Sequence, residues 1–331
     1  MDWKERSFCD LRKKIFSRAI CTHHKKRKSN LKKKTLISIV GPTAIGKTAL
    51  SIELAKQYNC EIISADSRQF FKEMSIGTAK PTKEEMDGVV HHFVDFISVE
   101  EFYTAGQFEN DVMNKLNEIF EKQDVAIMVG GSGLYVNAVL SGIDEIPSNL
   151  ELREELNKEL EDKGLRHMQQ KLKKLDYEHF KFMDKQNPQR LIRAIEVCLT
   201  TGKKYSDLRN QTAKKREFEI IQVGITADRE IIYDRINTRV DEMVKNGLVE
   251  EVTGLFAQKE LNSLNTVGYK EIFNHLDGEC ELDFAIDKIK QNTRNFAKRQ
   301  LTWFKKDENT KWFDVMKERE KLTKHIEKSI K

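Results

Sequence analysis

Apolar residues along this chain fall into short β-branched runs separated by longer amphipathic stretches. Leu36-Ile37-Ser38-Ile39-Val40 is too short for a helix and is followed at once by Gly41-Pro42, so it predicts a buried strand. Residues 47–58 carry helical periodicity, Glu61 to Ala65 predicts a second strand, and Val125 to Val129 predicts a third that runs into Gly130-Gly131. Strands alternating with helices predict an α/β fold built on a doubly wound parallel sheet. From residue 150 to 182 the pattern changes to dense charge with leucines at helical spacing and only Gly164 as a glycine, before Ile220 to Ile225 predicts a further strand. The chain is therefore expected to leave the sheet near residue 146, build a helical insertion domain over 146–215, and return, leaving a core of 35–145 and 216–331. From Arg229 onward the expectation is helical, with turns at Gly247, Gly254 and Gly268.

Composition narrows the class. With 331 residues, 39% of them hydrophobic, the chain can bury a sizeable core. No apolar run approaches the length of a membrane span, so no membrane partner is expected. Cys9, Cys21, Cys60, Cys198 and Cys280 are scattered without a CxxC pair, which suggests neither a disulfide framework nor a zinc site and points to a reducing, cytoplasmic setting. The net charge of +5 hides an asymmetry, because residues 1–34 hold 13 Lys or Arg against 3 Asp or Glu, +10 locally, and leave about −5 for the rest. This basic arm is read as a disordered N-terminal extension, with electrostatic contact to nucleic acid as the other reading.

Chemistry enters at Gly41-Pro42-Thr43-Ala44-Ile45-Gly46-Lys47-Thr48, a complete GxxxxGK[ST] motif between a predicted strand and a predicted helix. Such a loop turns successive N–H groups and a helix N-terminus toward an anion, Lys47 adds a mobile charge, and Thr48 offers a hydroxyl to a Mg²⁺ shared with phosphate. The fold is thus expected to be P-loop NTPase-like. The motif leaves open whether the anion is a triphosphate to be cut or a diphosphate to be expelled. A kinase or ATPase reading requires an apolar strand ending in an acid, and the strand at Val125–Val129 ends in Gly130-Gly131-Ser132 instead. Asp66, beyond the Glu61–Ala65 strand, is the acid placed to reach the phosphate crevice.

Further along, Asp66-Ser67-Arg68-Gln69 with Ile76-Gly77-Thr78-Ala79-Lys80-Pro81 resembles the bacterial tRNA dimethylallyltransferase (tRNA isopentenyltransferase) family. Val129-Gly130-Gly131-Ser132-Gly133-Leu134-Tyr135 is similar to its Gly-Gly-Thr-Gly-Leu-Tyr element, with Ser in place of Thr. Gln189-Arg190-Leu191-Ile192-Arg193-Ala194-Ile195-Glu196-Val197, Val267-Gly268-Tyr269-Lys270-Glu271 and Thr293 to Phe304 resemble three more of its signatures. The resemblance spans roughly residues 36–306 in order, and no zinc module follows residue 306, as in the bacterial form. Phe70-Phe71 departs from the family's commoner aliphatic-Tyr pair.

The resemblance implies transfer of a dimethylallyl group from dimethylallyl diphosphate to the N6 amine of adenosine 37, beside the tRNA anticodon, with Mg²⁺ as cofactor. It implies that residues 41–48 hold the diphosphate, that Arg239 and Ser132 serve the reacting centre, and that Asp66 is the general base, a role asking for an ionised carboxylate within hydrogen-bond reach. The base must leave its stack to be reached. Asp66, Ser67, Arg68 and Gln69 are the implied lining of its channel, and Arg153, Gln189, Arg190, Leu191, Ile192 and Arg193 are implied tRNA contacts. Lys290, Arg294 and Lys298 fall at i, i+4, i+8 on a predicted helix, a basic stripe suited to phosphate, while Ile289, Phe296 and Trp303 form a separate apolar seam. His91 and His92 are read as structural. A monomer is expected. The competing enzyme reading is a P-loop nucleoside or small-molecule kinase.

Overall fold

The computed structural model describes residues 33–209 and 213–330. The basic extension predicted for residues 1–34 lies, but for its last two residues, outside them. Six strands form one sheet: β1 (Thr35–Val40), β2 (Ile62–Ser64), β3 (His91–His92), β4 (Val125–Gly130), β5 (Glu219–Thr226) and β6 (Lys311–Asp314), in the order β3-β2-β4-β1-β5-β6. Every pairing is parallel. A parallel sheet needs cover on both faces, which is why β1 and β4 are buried along their whole length and read as near-continuous apolar runs. Alternate residues serve the two faces. Leu36, Val40, Ala126 and Met128 join one core, and Ile37, Ile39, Ile127 and Val129 the other.

Helix α1 (Lys47–Tyr58) and the C-terminal helix (Arg319–Ile330) supply Leu50, Leu54, Leu322 and Ile326 to the second core. Helices α2 (Ala105–Lys122) and α3 (Gly133–Ser141) supply Phe108, Val112, Leu116, Val136 and Val139 to the first. The prediction of strands at Leu36–Val40, Glu61–Ala65, Val125–Val129 and Ile220–Ile225 holds within a residue or two. Two strands escaped it. β3 and β6 are edge strands of two and four residues whose half-exposed sequences, His91-His92 and Lys311-Trp312-Phe313-Asp314, carry no apolar run.

Between β4 and β5 lie α4 (Leu150–Leu175, broken at Gly164), α5 (Tyr177–Phe182) and α6 (Pro188–Thr201). They pack about their own apolar cluster of Leu156, Met168, Leu172, Leu191, Ile192, Ala194 and Ile195. The described residues from Lys34 onward still make one compact unit. Leu191 and Ile192 are almost fully buried in that cluster, which corrects their reading as tRNA contacts. Leu191→Ala is expected to destabilise the protein by about 2–5 kcal/mol, as for other buried leucines, measurable as a lower urea midpoint. After β5 follow α7 (Arg229–Lys245), α8 (Leu248–Gly254), α9 (Tyr269–Leu276) and α10 (Leu282–Phe304).

Candidate active site

The strand ends set the site. Val40 of β1 pairs with Gly130 of β4, and Val129 of β4 pairs with Ser64 of β2, so the segments leaving three adjacent strands start at one level. They are the loop 41–48, Ala65-Asp66-Ser67 and Gly131-Ser132. Ligands of such sheets bind in the crevice beyond these ends.

The 41–48 loop leads into α1 through Gly46, whose φ of 101° lies in the left-handed region that glycine adopts without strain. Lys47 Nζ donates to the Pro42 carbonyl at 2.8 Å, folding the ammonium back over its own loop. Burial pulls the Lys47 pKa down to about 8; the negative charge of Asp66 opposes that shift and the positive charge of Arg239 adds to it. Arg239, on α7, donates to Thr43 Oγ1 at 3.2 Å, and its own pKa is lowered chiefly by burial while Asp66 raises it. Two cations and one carboxylate from separate elements therefore share one electrostatic neighbourhood.

Ser132 caps α3 by position, yet its hydroxyl makes no cap bond. It accepts from the Ser67 N–H at 2.9 Å and sits 3.0 Å from Ser67 Oγ, which ties the β4 loop to the residue after Asp66. Asp66 in turn accepts the Arg68 N–H through Oδ1.

Two cavities of about 890 Å³ each open around this arrangement. One is lined by Thr43, Asp66, Ser67, Arg68 and Ser132 on its polar side and by Tyr135, Phe284, Phe296 and Trp303 on its aromatic side. The other is lined by Gly46, Lys47 and Thr48 of the loop and its helix, by the cations Lys80 and Arg235, and by the acids Glu85, Asp234 and Glu242. Ala79, Arg239 and Met243 line both, so the cavities are back to back across a thin wall.

Several predicted residues lie elsewhere or are already engaged. Gln69 donates to the Thr78 and Ala79 carbonyls and does not line the aromatic cavity, contrary to its expected place. Arg68 lines the cavity but gives its guanidinium to the carbonyls of Asn262, Ser263 and Asn265. Arg153 and Arg193 both pair with the fully buried carboxylate of Glu196, which also accepts the Asn149 N–H. A buried carboxylate left without such partners is costly, so these arginines first hold the start of the helical insertion together. Gln189 and Arg190 are exposed. On α10, Lys290 pairs with Asp241 at 2.6 Å and Arg294 donates to Asn237 at 2.6 Å, so two members of the basic stripe fasten α10 to α7 while Lys298 is exposed. The apolar seam is also corrected: Ile289 is buried, but Phe296 and Trp303 are 38% and 39% exposed and face the aromatic cavity.

Two side chains that local sequence did not single out complete the site. Gln300, 6% exposed, accepts the Thr43 N–H at 2.8 Å and donates to the Gly131 carbonyl at 3.0 Å, bridging two of the three loops. Gln300→Leu leaves both groups unpaired, so a loss of about 1–3 kcal/mol for each is expected in chemical unfolding. Weaker binding of inorganic pyrophosphate, read by calorimetry, is expected with it. Arg235 donates to the Ile45 carbonyl at 3.2 Å from the other cavity. All three bonds join positions far apart in the chain and leave no local pattern.

Comparison with known proteins identifies the family. A family model described as IPP transferase matches residues 69–307. The chain is 54% identical over 296 residues to the tRNA dimethylallyltransferase of Christiangramia forsetii, covering 89% of this chain and 98% of that one. It superposes with a TM-score of 0.66 on the crystal structure of the full-length tRNA isopentenylpyrophosphate transferase of Bacillus halodurans, at 38% identity, over 90% of this chain and 97% of the other. A eukaryotic dimethylallyltransferase solved acting on tRNA matches with a TM-score of 0.69 and 28% identity over 82% of this chain and 69% of its own. With the matched model covering most of the chain and these relatives spanning nearly all of it, the chain belongs to the IPP transferase family of tRNA dimethylallyltransferases.

Proposed function

We propose that this chain transfers the dimethylallyl group of dimethylallyl diphosphate to the N6 amine of adenosine 37 beside the tRNA anticodon, releasing diphosphate. The observation that carries the reading is the pair of cavities meeting at Arg239, one floored by the P-loop with Lys47 and Arg239 beside it, the other aromatic and opening on Asp66. A diphosphate matches the first. A base taken out of its stack, together with an isoprenoid carbon, matches the second.

An exocyclic adenine amine is a weak nucleophile because its lone pair is delocalised into the ring. In the proposed step its nitrogen bonds to the allylic carbon, the allylic C–O bond breaks, and the electron pair leaves with the diphosphate. Asp66 takes the proton the nitrogen sheds. Lys47, Arg239 and the N–H groups of the 41–48 loop stabilise charge that grows on the leaving oxygens. Ser132, already bonded to Ser67, fixes the loop that carries Asp66. No trio of His, Cys, Asp or Glu among the described residues is arranged to hold a metal. Thr48, whose hard hydroxyl oxygen lines the P-loop cavity, would hold Mg²⁺ there. That ion supplies further neutralisation of the leaving group when bound.

The kinase reading fits less well, because β4 ends in Gly130 and leads to Gly131-Ser132 where phosphoryl transfer wants an acid. No helix among the described residues is long and apolar enough to cross a membrane. Cys60 and Cys198 are free and buried, and Cys280 is free and half-buried. The proposed enzyme acts as a cytoplasmic monomer on the anticodon loop. Nucleoside analysis of tRNA treated with the protein and donor tests the site of transfer: the reading requires dimethylallyladenosine at one anticodon-loop position, and modification elsewhere, or of free nucleotides, contradicts it.

A further inference from the structure

The segment 75–80, together with Arg239 and Met243 of α7, forms the wall between the two cavities. Gly77, Thr78 and Ala79 face the aromatic cavity, while Ser75, Ile76, Ala79 and Lys80 face the P-loop one. It belongs to no helix or strand; within it the Ala79 and Lys80 N–H groups donate to the Ile76 and Ser75 carbonyls, and other backbone groups take partners from outside the segment. Its carbonyls find them in Gln69, which takes Thr78 and Ala79. Lys80 then anchors the segment's far end, reaching the Phe71 carbonyl at 2.7 Å and Asp95 at 2.7 Å.

The N–H groups at its start converge on one carboxylate. Glu251, on α8, accepts from Ser75 at 2.9 Å and Ile76 at 2.7 Å through Oε2, and from Gly77 at 2.9 Å through Oε1. The same Oε1 accepts the Tyr269 hydroxyl at 2.6 Å. The Tyr269 ring is fully buried and lies where a Cβ on Gly77 would come within 2.5 Å, so glycine at 77 is what lets the wall close on the ring. Bonds from a carboxylate to N–H donors are roughly twice as strong as neutral ones, and three successive N–H groups form a concave nest for an anion.

We propose that Glu251 is a positioning residue for the transfer reaction, holding the 75–80 wall so that donor and acceptor meet at Arg239 and Asp66. This rests on the function proposed above. Glu251 touches neither cavity and acts through the wall. Replacing one of its oxygens by an amide sets an N–H₂ against backbone N–H donors and breaks the nest at two or more points, while the P-loop and Asp66 keep their own contacts.

The test compares wild type with Glu251→Gln by amide hydrogen exchange and by steady-state transfer to tRNA. Exchange at residues 75–77 is expected to speed up about tenfold while β1 and β4 stay protected. kcat is expected to fall about 10- to 100-fold, the scale of a small misplacement of reacting groups, with the KM values for donor and tRNA within about threefold of wild type. Unchanged kcat in the face of loosened amides overturns the proposal, and so does unchanged exchange. If Glu251→Gln does not fold, Glu251→Asp, which keeps the charge but falls one methylene short, is read the same way. If wild type itself transfers nothing to tRNA, the functional reading has failed, and the exchange arm alone reports whether Glu251 holds the wall.

Discussion

Asp66→Ala is expected to lower kcat for transfer to tRNA by about 10²- to 10⁴-fold, the range in which a positioned general base contributes. Affinity for tRNA, measured by filter binding, should change little, because Asp66 is one half-buried side chain in a large interface. The expectation follows from place: the carboxylate stands where β2 ends, beside the Ser67–Ser132 bond, on the wall of the aromatic cavity and within the field of Lys47 and Arg239. Asp66→Asn keeps the shape and the acceptor oxygen but not the base, so it should resemble alanine in kcat. If Asn retains most activity, Asp66 orders the loop and some other group takes the proton.

Lys47→Met is the second large effect, a fall of about 10²- to 10³-fold in kcat, as for removal of a charge-stabilising donor. It carries a pH signature. In the folded, ligand-free protein the Lys47 pKa is lowered to about 8 from 10.5, with burial as the main cause. Below pH about 8 the ammonium is charged in folded and unfolded chains alike. Between about 8 and 10.5 the unfolded chain binds the proton and the folded one does not, so this residue's penalty on folding is relieved as pH rises through that window. Donor binding has the opposite sign. A diphosphate needs the charged form, so its affinity should be flat below pH 8 and fall by up to about tenfold per unit above it, a slope absent from Lys47→Met. Calorimetric titration of pyrophosphate across pH 7 to 10 reads both.

The P-loop was legible because its spacing is local and its context, β1 before and α1 after, is visible in hydrophobic pattern. Asp66 was legible because ligands of doubly wound sheets gather beyond strand ends. The bonds that assemble these pieces were not. Gln300 reaches Thr43 from 257 residues away and Glu251 reaches Ser75 from 176; Gln300 falls within the Thr293–Phe304 signature, but nothing in it names the partner, and Glu251 has no such marker. Periodicity also misled at Phe296 and Trp303: an apolar helix face is read from spacing, but whether it meets core or cavity depends on what lies opposite. Nor could the sequence show the acids that pair with the basic residues: Glu196 for Arg153 and Arg193, which the resemblance implied, and Asp241 for Lys290 of the basic stripe. Leu191 and Ile192 were carried along by the arginines flanking them, although their alternation with charge marks a helix with one buried face.

The measurement closest to the central claim is transfer of label from radiolabelled dimethylallyl diphosphate to unmodified tRNA, run beside ATP labelled in its terminal phosphate. The account predicts label in tRNA from the isoprenoid donor, none from ATP, and loss of that label with Asp66→Ala. Label from ATP in any acceptor, with none from dimethylallyl diphosphate, would contradict it and return the P-loop to phosphoryl transfer.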